Sequence, residues 1–469
     1  MKHVEDLIKL KKRFEKNFNI VDFGAIGDGI HKNTVEINNA ILSASDAGGG
    51  NVIIPRGMWL TTSIQLKSNV NLYLEEGAVV SFSNDVADYP LIPSNFEGIS
   101  SYRCMPNIYG ENLENISISG RGVFDGNGES WRPTKKVKLT ESHWNNLVES
   151  GGYIQENRIW WPTKEAYNAS KTGFSNFKLE DFEAAKVFFR PVLLGLTNCK
   201  NILLQGVTFQ NSPAWCLHPR LCENILIQDI NVRNPWFSQN GDGLDLECCK
   251  YAIIENSTFD VGDDAICMKS GKDEEGRKVG VPTEQVVIRN CTVYHGHGGF
   301  TVGSEMSGGV KDILLQDCTF LGTDVGLRFK SCRGRGGIVE NITMERVTMK
   351  NIGNQAITFN TYYAANGKPD EVIEFSEKTP VFRNIKLKDI ICDGAKTAIE
   401  ITGLPEMPIH NIQFDNVTMK SRIGVTCKDA ENITFNHVNV LSDEENNFLV
   451  ADCKNITYNH VENLKLKES

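Results

Sequence analysis

A nine-residue phrase returns through the second half of this 469-residue chain, and it leaves few folds open. It reads NILLQGVTF from Asn201, NILIQDINV from Asn224, YAIIENSTF from Tyr251, QVVIRNCTV from Gln285 and DILLQDCTF from Asp312. It continues as NITMERVTM from Asn341, NIKLKDIIC from Asn384, NIQFDNVTM from Asn411 and NITFNHVNV from Asn432, and NITYNHVEN from Asn455 closes the series. The starts fall 21 to 43 residues apart, so the unit is roughly 21 to 23 residues, with loops added to some turns. Two short strands and their turns fit that length.

Apolar and polar residues alternate within the phrase, the period of a strand with one buried face. The seventh position runs Val207, Ile230, Ser257, Cys291, Cys318, Val347, Ile390, Val417 and Val438. It stays small to medium and mostly apolar, as a stack inside a coil requires. Cys291 and Cys318 are therefore expected in the core rather than in a metal site or disulfide. The Asn that often opens the phrase suits a turn, because Asn tolerates the left-handed region. The pattern predicts an all-β protein, a right-handed parallel β-helix with rungs about 4.8 Å apart.

Such a coil needs its ends covered. The segment FGAIGDG near residue 24 lacks the Gly-Lys-Ser/Thr ending of a phosphate loop and opens onto KNTVEINNAILSAS, which is predicted as an N-terminal capping helix. The first residues, MKHVEDLIKLKKRFEKNF, read as an amphipathic helix, giving a helical extension over 1–18. A single β-helix domain is expected over 19–469, carrying a long non-repeating insertion at about 130–190.

Hydrophobic residues at 40% and charged residues at 23% are ordinary for a soluble globular protein. No stretch approaches a membrane span, so no membrane partner is expected. A net charge of −10 argues against nucleic acid, which selects basic faces, but leaves room for an acidic sugar in a locally basic cleft. Thirteen scattered cysteines, and a first segment without the continuous apolar core of a secretory leader, favour the cytoplasm. A secreted or periplasmic location follows instead if a leader has been removed. The oligomeric state is left open.

Two aspartate-rich turns, NGDG and GDD, place Asp242 and Asp263 21 residues apart, one uninserted rung. Aligning Leu244 and Leu246 with Ile266 and Met268 as inward residues sets Asp242 opposite Asp264, with Asp263 beside them. Carried onward, HGHGGFTVGS aligns Phe300 with Ile266 and brings His297 to the level of Asp263. DVGLRFKS then aligns Phe329 with Met268 and turns Arg328 and Lys330 outward on the same face. A lone GDD is usually a turn and a lone histidine usually a structural hydrogen-bonder. Here all of them land on one face in consecutive rungs, and crowded like charges cost free energy unless used.

Other candidates are single residues. Arg190, His218, Lys269, Arg333 and Arg335 could extend a basic lining for substrate, though each alone also fits a solvated surface group. Asn240 is expected to form the turn that orients Asp242 toward substrate. Trp160 and Trp161 fit either a sugar platform on the insertion or core packing, and Tyr362 and Tyr363 could also contact sugar. No His/Cys spacing suggests zinc, and no metal or cofactor is expected, although a carboxylate cluster can bind Ca²⁺.

NGDG, GDDAICMKSG, GHGG with VGSEMSGG, and RFK resemble, in order, the signature segments of glycoside hydrolase family 28, the polygalacturonases. FGAIGDGIHKNT, GGGNVIIPRGMW, GRGVFDGNGESW, NSPAWCLHP and IEITGLPEMPI extend the resemblance over nearly the whole chain, and the last-but-one, with SEMSGG, is most similar to bacterial exo-acting members. The resemblance implies an inverting hydrolase of α-1,4-galacturonide linkages in polygalacturonate or oligogalacturonides. By the same resemblance Asp263 is the general acid, and Asp242 and Asp264 position and deprotonate the attacking water. His297 tunes Asp263, and Arg328 and Lys330 hold the galacturonate carboxylate. An insertion that blocks one end of the cleft makes the enzyme exo-acting.

Two departures stand out. The usual NTDG is NGDG, which is expected to loosen the turn presenting Asp242, and the usual RIK is RFK, with Phe329 pointing inward. The insertion GKDEEGRKVGVPTEQ also lengthens one turn. Three alternatives stay open: a hydrolase of rhamnogalacturonan or another uronide, a Ca²⁺-dependent lyase on the same fold, and a non-catalytic polysaccharide-binding β-helix.

Overall fold

The nine-residue phrase turns out to be a corner. In its first copy the strand Lys200–Gln205 runs to Gly206, whose φ of +79° turns the chain into a second strand, Thr208–Gln210. A third strand, such as Leu217–Arg220, completes the rung outside the phrase. Rungs therefore carry three strands where the spacing alone suggested two. The first residue of all ten phrases holds a left-handed φ, between 54° and 59°, and Tyr251 and Gln285 adopt it as the asparagines do. Asparagines gain a further bond there: Asn224 Nδ2 donates to Asn201 Oδ1 at 3.0 Å, and Asn455 Nδ2 to Asn432 Oδ1 at 3.0 Å.

The computed structural model describes residues 1–174, 176–363 and 371–468. They form two compact units, Met1–Asp245 with Asp260–Asp263, and Leu246–Phe259 with Asp264–Ser469. Both are built from parallel ladders of short strands, the right-handed parallel β-helix.

In the first unit one ladder joins Ile64–Gln65, Ile108–Glu111, Leu194–Thr197 and Leu217–Arg220, strand upon strand in parallel. A second joins Gly50–Ile54, Val70–Leu74, Glu114–Gly120, Lys200–Gln205 and Glu223–Gln228. Like residues stack between rungs: the Phe82, Phe124 and Phe209 rings lie 6.4 and 5.4 Å apart. The helix Thr34–Asp46 lays Ile37, Ala40, Ile41 and Ala44 against the first rungs and caps them. The first residues are not one amphipathic helix. A single α-turn, Lys2–Glu5, passes into a 3₁₀ stretch, Asp6–Arg13, and Asn17–Asn19 then pairs with Asn51–Ile53.

The insertion at 130–190, described apart from residue 175, folds on itself. It holds a three-stranded antiparallel sheet and the helices Glu141–Glu149, Lys164–Thr172 and Leu179–Ala184. Trp160 and Trp161 are 6% and 8% exposed, with their indole N–H groups donated to Gly151 O and Gln155 Oε1, so they pack rather than face a sugar. Phe182 and Phe189 centre a cluster that also takes in Leu91 and Tyr102. Those two belong to an antiparallel hairpin, Leu91–Phe96 with Ile99–Cys104, that the repeat analysis did not anticipate.

The second unit continues the same logic with longer strands. Cys318, Val347, Ile390, Val417 and Val438 stand in register on successive rungs, all but fully buried. Cys291 is likewise 1% exposed. Ile266 pairs with Phe300, and Met268 with Val302, which pairs with Phe329. Phe329 points inward and stacks on Phe359 at 4.7 Å, which turns its neighbours Arg328 and Lys330 outward.

Candidate active site

In the first unit, Asp242 and Asp263 each direct a carboxylate oxygen to within 4.8 Å of the other, Asp242 buried and Asp263 half-buried. The turn that presents Asp242 is tightly held. Asn234 Nδ2 donates to the carbonyls of Gly241 and Asp242 at 3.1 and 3.3 Å, and Cys216 N–H donates to Asp242 O at 3.0 Å. Ser238 fills the space beside both Gly241 and Gly262, so a Cβ at either position would collide with it. The glycine of NGDG therefore does not loosen this turn, contrary to expectation; a serine three residues earlier occupies the place of a side chain.

Arg190 lies beneath the same turn. Its guanidinium donates to Pro213 O at 2.8 Å, Gln239 O at 3.0 Å and Asn240 Oδ1 at 2.8 Å, and it is 4% exposed. Burial pulls it down to about 10, still charged at neutral pH. Arg190 and Asn240 thus meet each other and brace the approach to Asp242.

In the second unit Asp264, the residue after Asp263, is fully enclosed by cations. Arg328 Nη1 lies 3.1 Å from its Oδ1 and Lys330 Nζ 2.9 Å from its Oδ2. Gly298 is needed for this approach, because a Cβ there would meet Asp264 Oδ1 and Thr301 Oγ1. Burial on its own drives the Asp264 carboxyl up; Lys330, Arg328 and Lys269 more than reverse this and hold it well below the usual carboxylate range. Burial lowers Lys330, but the charge of Asp264 prevails and holds it above its ordinary value. Both oxygens of Asp264 are taken by cations, a donor set that does not suit Ca²⁺.

Lys269 also reaches Glu305 Oε2 at 3.0 Å. Burial raises the Glu305 carboxyl, while Lys269 and Lys330 bring it down to about 2. Tyr363 lies under both cations of the pair, 5.6 Å from Arg328 and 5.4 Å from Lys330. His297 Nδ1 lies 2.8 Å from Asp324 Oδ2. Arg333 is held by both oxygens of Glu406, at 2.6 and 2.7 Å, with its guanidinium over Tyr362, and Arg335 pairs with Asp273. Those last two arginines sit in ion pairs outside the Asp264 group.

Glu305, Asp324 and the brace at Arg190 were missed as functional partners by sequence reasoning. Glu305 lies inside SEMSGG and Asp324 just before VGLRFK, so both were in view; nothing in a linear pattern says which cation each would meet.

His218 belongs to the first unit, on the strand Leu217–Arg220, next to Leu217, whose N–H donates to Gly243 O at 3.0 Å beside Asp242. The hairpin Leu91–Phe96 with Ile99–Cys104 walls a cavity of about 230 Å³ over the outward faces of Ile108–Glu111, Leu194–Thr197 and Leu217–Arg220. Arg103, Tyr109, Glu111, His218 and Arg220 line it. The His218 ring meets Trp215 edge-on at 4.9 Å.

The model of glycosyl hydrolases family 28 matches residues 182–434. A probable polygalacturonase of Vitis vinifera is 30% identical over 431 residues, covering 88% of this chain and 77% of that protein. An exo-poly-α-D-galacturonosidase of Dickeya chrysanthemi is 28% identical, covering 90% and 70%. Among solved structures, a hyperthermoactive exopolygalacturonase from Thermotoga maritima superposes with a TM-score of 0.78 at 30% identity, over 94% of this chain and 96% of that one. By the family match, by these relatives and by the β-helix that carries its acids, the chain belongs to family 28 of the glycosyl hydrolases.

Proposed function

We propose that this protein hydrolyses α-1,4-galacturonide linkages from the ends of polygalacturonate or oligogalacturonides, with inversion. The observation that carries the reading is the grouping of neighbouring acids. Three cations keep Asp264 ionised, and Asp242 and Asp263 bring a carboxylate oxygen each to within 4.8 Å of one another. Glycoside hydrolysis needs one carboxyl that gives a proton to the leaving oxygen and another that activates water.

In this assignment Asp263 protonates the departing glycosidic oxygen. Asp242 and Asp264 orient the water and take its proton as it attacks the anomeric carbon. Arg328 and Lys330, fixed by Asp264 and backed by Tyr363, hold the substrate carboxylate, so an acidic protein binds an acidic chain through one basic locus. His297 acts on the protonation of the acid, and its bond to Asp324 orients the imidazole. Arg190 and Asn240 serve by positioning Asp242, and Lys269 by balancing Glu305 and Asp264.

End-wise action is supported by the walled cavity that His218, Arg103 and Arg220 line, whose size suits a single sugar, and by the names of the Dickeya and Thermotoga relatives. The wall is the hairpin at 91–104; the insertion at 130–190 packs against it from behind.

The test is incubation of the purified protein with oligogalacturonides of defined length, in the presence of chelator, with product chromatography and absorbance of unsaturated uronide. Saturated products released stepwise from chain ends support the reading. Unsaturated products indicate a lyase, and no cleavage with turnover of rhamnogalacturonan moves the substrate to another uronide polymer.

A further inference from the structure

The protein has seven tryptophans, and they divide sharply. Trp59, Trp131, Trp144, Trp160, Trp161 and Trp215 are at most 8% exposed, while Trp236 is 59% exposed. Exposing an indole to water forgoes the large stabilisation its burial brings. Trp236 is not loose, however: its Nε1 donates to Asp260 Oδ1 at 2.6 Å, and Lys138 Nζ donates to its backbone carbonyl at 3.2 Å. The ring is fixed at the edge of a depression of about 600 Å³.

Pro235 and Phe237 continue the apolar floor beside the ring, and the polar side chains around it are already ordered. Gln210 Nε2 donates to Asp125 Oδ2 at 2.7 Å and Asn211 Nδ2 to Asp125 Oδ1 at 3.1 Å. Asn127 N–H also donates to Asp125 Oδ1 at 2.9 Å; of a carboxylate's about four acceptor sites Asp125 therefore keeps roughly one, and Asp260, bonded to Trp236, keeps more. Asp125, Glu129 and Asp260 outnumber the cations at the surface, since Arg132 is buried and directed inward to Ser212 O and Asn211 Oδ1, leaving Arg233 in the lining and Lys138 on the backbone of Trp236.

We infer that this depression is a second carbohydrate site, specific for an uncharged pyranose. A flat indole matches the apolar C–H face of such a ring, and acceptors beside it match the hydroxyls around its edge. A uronate would bring its carboxylate to three others, which like-charge repulsion disfavours. The site thus selects the opposite chemistry from the Arg328–Lys330 locus, and this specificity does not depend on the function proposed above.

The single exposed indole makes the site readable without any assay of hydrolysis. The full chain is titrated with β-1,4-galactotetraose and, separately, with trigalacturonate, following tryptophan emission and its quenching by acrylamide. A saturable blue shift with reduced quenching is expected for galactotetraose, lost in Trp236→Ala, whose melting temperature should be unchanged. Asp125→Asn keeps the reporter and should weaken binding. No response to galactotetraose, a response that survives Trp236→Ala, or equal binding of trigalacturonate to the wild type would each overturn the inference. Because the readout is binding, it can fail while oligogalacturonide hydrolysis stands, and the reverse.

Discussion

Lys330 Nζ lies 2.9 Å from Asp264 Oδ2, and Arg328 holds the other oxygen, so Asp264 anchors the two cations proposed to clamp the substrate and is itself kept ionised by them. Lys330→Met removes one of the charges that hold the Asp264 carboxyl low. If Asp264 must be ionised for turnover, the acid limb of the pH–rate profile should then move upward, by roughly one to three pH units, with a higher KM. An unmoved limb would detach Asp264 from the chemistry.

The Ser238–Gly241 fit makes a prediction that is counter to family usage. Restoring the common sequence, Gly241→Thr, should lower both the melting temperature and kcat, since Ser238 occupies the space. Ser238→Gly on its own should be mild, and combined with Gly241→Thr should recover much of the loss. A double-mutant cycle in the two properties checks this, with a coupling of about 1 kcal/mol or more expected for residues in contact.

Glu305 governs stability toward acid. Its carboxyl is depressed in the folded state to about 2 from 4.5. A depressed acid stabilises the fold above its unfolded value and loses that contribution as pH falls through the folded one. Glu305→Gln should therefore cost on the order of 3 kcal/mol at neutral pH, and the difference from wild type should shrink between pH 4.5 and about 2. Denaturant melts across that range measure it.

One carboxylate oxygen of Asp242 lies within 4.8 Å of one of Asp263, while inverting enzymes keep their two carboxyl groups roughly 6.5–9.5 Å apart and retaining ones roughly 5 Å, so the product anomer is the property that separates the two courses. Inversion is assigned here on family grounds, with Asp264 as a further base. Proton NMR of the first turnovers should show the β-anomer of the released sugar. Initial α-anomer would make one of the pair a nucleophile.

Much of this was legible in the repeat. The alternation and the stacked seventh position gave the β-helix, and the alignment of Phe300 with Ile266 and of Phe329 with Met268, through Val302, turned Arg328 and Lys330 outward because side-chain direction in a strand has period two. What repeats could not convey lies between rungs and outside them. The hairpin at 91–104 has no repeat, and its partners Phe182 and Phe189 come from more than 75 residues away in sequence. The place of Ser238 against Gly241, and the ion pairs of Asp264 and Glu305, depend on side-chain packing across loops, which no spacing encodes. Arg190 looked like a surface cation for the same reason: its acceptors are backbone carbonyls at 213 and 239, invisible in composition.

The central claim is that Asp263 gives a proton to the leaving oxygen. The direct measurement compares Asp263→Asn with wild type on two substrates, an oligogalacturonide and an aryl galacturonide whose phenolate departs without protonation. The account predicts that the variant loses oligogalacturonide cleavage by a factor of about 10²–10⁴ yet retains most of its activity on the aryl substrate. Equal losses on both, or none on either, would contradict it.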